Sequence, residues 1–319
     1  MKASTDTCRS GLDWRPASRT QWNRLIKGAG WSALEQCWGW GEVLGAQQRQ
    51  TVGRFVLSRD GRDEALVQIV DGRLFPGIRM ARVTRGPVWL AGAPEASLRD
   101  AVLRSLAGRY RKRDRHPLLL APELADTPDN VAALRAVGLR RMVTGYGSIR
   151  LDLGPGPERL QEGLESNWRS TLQRAERGKL RLDRSASGRA LDELLAAYDR
   201  LRRGRRFAGP SGRFVASLAA HLQPAGDIFV VRALAAGEMV AGALFVRHGA
   251  TATYLVGWTG EAGRSEGAGQ LVIWRGALAL REAGLRWLDL GDIDASHPGI
   301  ARFKLGLGGT PFTLAGTWL

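Results

Sequence analysis

Three short apolar runs in immediate succession, Ile228 to Ala233, Met239 to Val246 and Ala252 to Trp258, limit the architecture of this chain most. Each has the length of a strand, and only brief turns around Gly237-Glu238 and His248-Gly249 separate them. Connections that short cannot supply the crossover a parallel return needs, so the runs pair as an antiparallel meander. A glycine-containing loop (Arg264 to Gly269), a helical pattern from Gln270 to Ala283 and a strand at Trp287 to Leu290 follow. Basic helical patterns precede the meander at Gln161 to Arg177 and Arg189 to Arg203, with a third helix at Ser211 to Leu222.

The first half has a similar order of elements. Apolar residues recur at helical spacing in Trp22 to Lys27 and Leu34 to Leu44. Alternating runs follow at Gly53 to Ser58, Ala65 to Val70 and Arg79 to Thr84, with turn signals at Asp60-Gly61 and Asp71-Gly72. A helix over Glu95 to Arg113, a strand at Pro117 to Ala121, a helix at Asn130 to Val137 closed by Gly138, and a strand at Ser148 to Leu153 complete it. Gly154-Pro155-Gly156-Pro157 reads as a linker. At about 150 residues per domain, 319 residues suit two domains: residues 1–150, completed by a last strand within 310–319, and residues 151–309.

Composition narrows the partners. Lys and Arg number 47 against 31 Asp and Glu, a net charge of +16. Such a surplus favours a polyanion: nucleic acid, a nucleotide-linked substrate or an anionic membrane face. A hydrophobic fraction of 44% excludes wholesale disorder. No apolar run approaches the ~20 residues of a membrane span, and the N-terminus lacks a signal-peptide core, so the expectation is a cytoplasmic protein that at most touches a membrane peripherally. Cys8 and Cys37 form no CxxC and the four histidines lack ligand spacing; Asp289, Asp292 and Asp294 have the density for a hard cation, but no metal is expected.

The order of helices, meander, glycine loop, helix and strand is that of a GNAT acyltransferase core. Arg264-Ser265-Glu266-Gly267-Ala268-Gly269 resembles the loop by which such enzymes hold a pyrophosphate, with Arg264, Gly267 and Gly269 as its key positions. A second segment is more specific. Gly299-Ile300-Ala301-Arg302-Phe303-Lys304-Leu305-Gly306-Leu307-Gly308-Gly309, preceded by Asp289-Leu290-Gly291-Asp292, resembles the C-terminal signature of the Fem family of tRNA-dependent aminoacyltransferases, which build peptidoglycan cross-bridges on a doubled GNAT fold. Leu34 to Val43, with Trp38 and Trp40, Asn167 to Glu176, and Arg202 to Phe207 resemble further stretches of that family. Two departures stand out: Trp40 is followed by Gly41-Glu42-Val43-Leu44, where relatives using a nucleotide-linked precursor often carry lysine, and Asp292 replaces a glycine.

The resemblance implies an α/β protein of two GNAT-like domains with mixed, largely antiparallel central sheets flanked by helices. The first domain would help form the acceptor cleft and the second would hold the acyl donor. The implied reaction is amide formation, from aminoacyl-tRNA as co-substrate to an amine of a peptidoglycan precursor or related peptide, with no cofactor. Lys304, one of five lysines, and the backbone around Phe303 would polarise the ester carbonyl. Arg202, Arg203, Arg205 and Arg206, with Arg169, Arg174, Arg177 and Lys179, would meet the phosphates of a tRNA acceptor arm. Tyr254, Trp258, Asp289 and Asp292 would line the cleft with Trp38 and Trp40. Two alternatives stay open: an N-acyltransferase using acyl-CoA or an acyl carrier protein, and a non-catalytic module binding RNA or an envelope precursor.

Overall fold

The chain passes through β1 (Asp13–Pro16), α1 (Arg19–Gly28), α2 (Trp38–Gln48), β2 (Thr51–Arg59), β3 (Arg62–Phe75), β4 (Ile78–Gly86), β5 (Val88–Trp89), α3 (Ala96–Arg109), β6 (Leu118–Pro122), α4 (Pro128–Ala136) and β7 (Arg141–Val143). It continues with β8 (Gly147–Asp152), α5 (Pro157–Glu162), α6 (Ser166–Arg177), β9 (Arg181–Ser185), α7 (Arg189–Arg205), α8 (Gly212–Leu222), β10 (Ile228–Ala235), β11 (Glu238–His248) and β12 (Thr251–Thr259). The last elements are α9 (Glu261–Ser265), α10 (Ala268–Glu282), β13 (Trp287–Asp289), α11 (Pro298–Leu305), β14 (Thr310–Thr313) and β15 (Thr317–Trp318). This computed structural model describes residues 11–48, 50–111, 114–205, 209–222, 224, 226–293 and 297–319. They form two units, one ending at Tyr146 but joined by Thr313–Leu319, the other Gly147–Phe312.

In the first unit the strands lie in the order β1-β2-β3-β4-β6-β15-β7, with β5 on β3. β2, β3 and β4 form an antiparallel meander, and β6 joins β4 in parallel across the α3 crossover. Successive strand residues point to opposite faces. Val56 and Leu66 therefore pack with Trp22 and Ile26 of α1, while Leu57, Ala65 and Val67 pack with Leu103 and Leu106 of α3.

The second sheet has the order β14-β8-β13-β12-β11-β10-β9. β10, β11 and β12 form the expected antiparallel meander, and β13 is parallel to β12 across α10. Gly276 lets α10 lie on Phe245, where a Cβ would come within 2.1 Å of the ring. On the other face Gly242 admits Leu194 of α7, 2.9 Å from the position of a Cβ.

The structure redraws several expected elements. β8 does not close the first unit; it pairs antiparallel with β13. Gly154 to Pro157 is therefore not the linker: Gly156 caps α5, and Pro157 opens it at a position where a missing N–H costs nothing. The helix expected over Gln161 to Arg177 breaks at Gly163, because Leu164 is buried and Glu165 caps a new helix through Trp168 N–H. Leu34 to Leu44 likewise divides into a single 3-10 turn, Leu34–Gln36, and α2. The last strand splits too, with β14 in the second sheet and β15 in the first. β1, β5, β7 and β9 are strands the periodicity did not mark; β9, for instance, is polar at four of its five positions, Arg181, Asp183, Arg184 and Ser185.

Candidate active site

Parallel pairing between β12 and β13 lasts only from Thr251 opposite Trp287 to Thr253 opposite Asp289. On its other edge β12 carries a bulge: Phe245 pairs with Tyr254 and Leu244 with Val256, leaving Leu255 unmatched. A bulge bends and twists its strand. The chain beyond β13 turns at Gly291, whose φ of +73° is a left-handed conformation that favours glycine. A Cβ there would lie 3.5 Å from the Tyr254 carbonyl oxygen and 3.6 Å from Lys304 Nζ, which locates the lysine beside β12 and the turn.

Lys304 arrives from α11. It is 9% exposed and is the one buried lysine among the described residues. Its Nζ donates to the Asp292 carbonyl at 2.7 Å. Burial pushes the amine down to about 8, against the opposing pull of Asp292 and then Asp289. Asp289 is fully buried, and its Oδ1 accepts the Ser148 hydroxyl at 2.5 Å and the Gly291 N–H at 2.9 Å.

α11 is fastened to the start of α6. Trp168 Nε1 donates to the Phe303 carbonyl at 3.0 Å, the two rings lie 6.1 Å apart, and Glu165 N–H donates to the Gly306 carbonyl at 3.0 Å. Gly306 has no room for a side chain, since a Cβ would sit 2.4 Å from Trp168 Cδ1. Pro298 opens the helix at its first turn. Pro298, Ala301, Arg302, Leu305 and Gly306 also line a groove of about 970 Å³ with Glu165 and Ile293.

Lys304, Phe303, Asp289 and Asp292 thus meet at one place, and Tyr254 joins them through its carbonyl. Its half-buried ring packs on Phe245 at 5.7 Å, and burial pushes its phenol up. Trp258 is half-buried, with its ring over Gly260. The residues of the expected phosphate loop have close contacts of their own. Arg264 lies in α9 and donates to the Thr259 carbonyl at 3.0 Å. Gly267 has φ +70°, and a Cβ would meet Thr171 Cγ2 at 2.7 Å; one on Gly269 would meet Thr259 Oγ1 at 2.9 Å. These glycines admit neighbouring side chains, so packing gives each of them a structural reason.

Of the basic residues, Arg169 is turned onto the Glu162 and Leu164 carbonyls and Arg202 onto Asp199, whereas Arg174, Arg177, Lys179, Arg203 and Arg205 are exposed. Arg206, Phe207, Asp294 and Cys8 lie outside the described residues. Trp38 and Trp40 belong to the first unit. Arg54 lies 3.8 Å over the Trp38 ring and donates to Gln68 and to Glu42, so this motif has a structural part there. Sequence reasoning missed Ser148, which is one serine in a strand, and gave Trp168 no role although its motif was noted.

Residues 164–305 match the acetyltransferase (GNAT) domain family. No curated protein matches the chain in sequence. Among solved structures, the crystal structure of FemX is similar over 96% of both chains, with TM-score 0.82 and 14% identity. A tandem GNAT protein from the clavulanic acid biosynthesis pathway covers 96% of this chain and 97% of its own, with TM-score 0.54 and 17% identity. A conserved protein of unknown function from Bacteroides thetaiotaomicron covers 94% and 98%, with TM-score 0.61 and 13% identity. What these proteins share with the chain is the fold: two GNAT-like α/β domains with mixed, largely antiparallel sheets flanked by helices.

Proposed function

We propose that this chain is an acyltransferase that moves an aminoacyl group from aminoacyl-tRNA to an amine of a peptidoglycan precursor or related peptide. The observation that carries the reading is the buried Lys304 amine, held at the turn after β13 by the Asp292 carbonyl, in the segment that resembles the Fem signature. Similarity of fold to FemX along nearly the whole chain supports it.

In this reaction the acceptor nitrogen attacks the ester carbonyl and negative charge gathers on the carbonyl oxygen. The C–N bond forms, the C–O bond to the terminal ribose breaks, and the amine proton leaves with the ribose hydroxyl. A prepositioned cation at the oxygen, Lys304 in its charged form, stabilises that charge by several kcal/mol where water is scarce. Exposed Arg174, Arg177, Lys179, Arg203 and Arg205 supply charge that RNA phosphates attract.

The match of residues 164–305 to a GNAT domain favours a second reading, transfer from acyl-CoA or an acyl carrier protein. One assay separates the two. With charged tRNA and an acceptor peptide, RNase abolishes product under the first reading; product that persists with a CoA thioester and RNase overturns it. Binding of RNA or precursor without turnover from either donor marks a non-catalytic module.

A further inference from the structure

The Lys304 amine meets a neutral backbone carbonyl although a fully buried carboxylate, Asp289, lies in the same turn. What Asp289 does instead is explicit. Its Oδ1 accepts two hydrogen bonds, one from the Gly291 amide two residues on and one from Ser148, 141 residues earlier on β8. The Ser148 oxygen is also 3.0 Å from the Gly291 carbonyl, and Ser148 is itself fully buried. A buried hydroxyl in a strand carries a desolvation cost unless it is bonded, so an aliphatic residue would serve packing alone.

We propose that Ser148 and Asp289 are positioning residues for Lys304: together they lock the Asp289–Asp292 turn so that the Asp292 carbonyl, and no carboxylate, receives the amine. Ser148 restrains the Asp289 carboxylate. Released, the carboxylate would draw the ammonium to itself and away from the substrate oxygen. The charged groups bearing on the amine are Asp292 and Asp289, and Tyr254 of β12 presents only its carbonyl. The proposal rests on the transferase reading for its kinetic consequence but not for its structural one.

The chain has five lysines, so labelling lysine Cε with carbon-13 yields few enough NMR signals to follow each titration in the full-length protein. Lys304→Arg identifies the signal. Asp289→Asn removes a charge that favours the ammonium and lowers the Lys304 midpoint by about one pH unit. Ser148→Ala removes one of the hydrogen bonds that restrain the carboxylate and raises the midpoint by about half a unit. Midpoints that stay put in folded variants, as judged by near-ultraviolet circular dichroism, overturn the proposal. If Asp289→Asn does not fold, Ser148→Ala decides alone. In the transfer assay Ser148→Ala lowers kcat about tenfold with KM unchanged, and Ser148→Thr restores it. Wild-type kcat in Ser148→Ala, in an assay where Lys304→Ala has lost activity, also overturns it. A wild-type protein inactive with every donor sinks the transferase reading while the titrations still decide the positioning role.

Discussion

In the proposed reaction Lys304 is the residue that acts on the ester carbonyl, and its burial makes its behaviour predictable. Lys304→Ala should lower kcat on the order of 10²-fold or more while leaving the protein folded; a steady-state assay beside a thermal melt checks this. The charged form is the useful one, so kcat should fall as pH rises through about 8, where the amine loses its proton. Lys304→Arg, if it retains turnover, should lose that alkaline limb, because guanidinium stays charged. Stability has the opposite trend. The amine is depressed in the folded state from 10.5 to about 8, so the unfolded chain binds more protons across that window. Stability attributable to this residue therefore rises with pH from about 8 to 10.5, approaching about 3 kcal/mol in the limit. Urea midpoints measured across that range should rise less in Lys304→Met than in the wild type. The segment that resembles the Fem signature made Lys304 visible in the sequence, and the scarcity of lysine in the chain drew further attention to it. The bond between Ser148 and Asp289 was invisible, because 141 residues and a sheet register separate the two.

At the scale of elements, the start of α6 and all of α11 behave as one fastened pair. Gly306→Ala drives a methyl to 2.4 Å from Trp168 and should cost about 1–3 kcal/mol, as overpacking does. A shift in the urea midpoint with unchanged m-value checks it. Gly267→Ala separates two accounts of the same loop. The left-handed φ and the closeness of Thr171 predict a less stable protein under either account, and a phosphate-holding role would raise the donor KM as well. Strands of the central meanders were legible because alternation and turn dipeptides act locally. The break between α5 and α6 was not, since the burial of Leu164 and the close approach of the Gly163 and Gly308 backbones come from the tertiary structure.

For the whole molecule, the net charge of +16 matters through its distribution. Arg54, Arg85 and Arg232 are consumed by internal carboxylates, and Arg169 by backbone carbonyls. Exposed residues such as Arg203 and Arg205 remain for a polyanion. Arg203→Glu combined with Arg205→Glu should weaken tRNA binding and reduce the slope of log K against log salt by about one for each phosphate no longer neutralised. Filter binding at several salt concentrations measures that slope, and an unchanged slope would overturn the assignment of these arginines to RNA. No helix of the described residues is long and apolar enough to cross a membrane.

By itself the sequence determined the α/β class, the two meanders and, through the segment that resembles the Fem signature, the prominence of Lys304, because periodicity, turn chemistry and a motif are all readable along a line. Only the tertiary structure decided which unit receives β8 and β14, what the glycines of the Arg264–Gly269 segment accommodate, and which arginines face solvent. Each of those outcomes depends on a partner distant in sequence, brought near by sheet register and by the close approach of helices where side chains are absent.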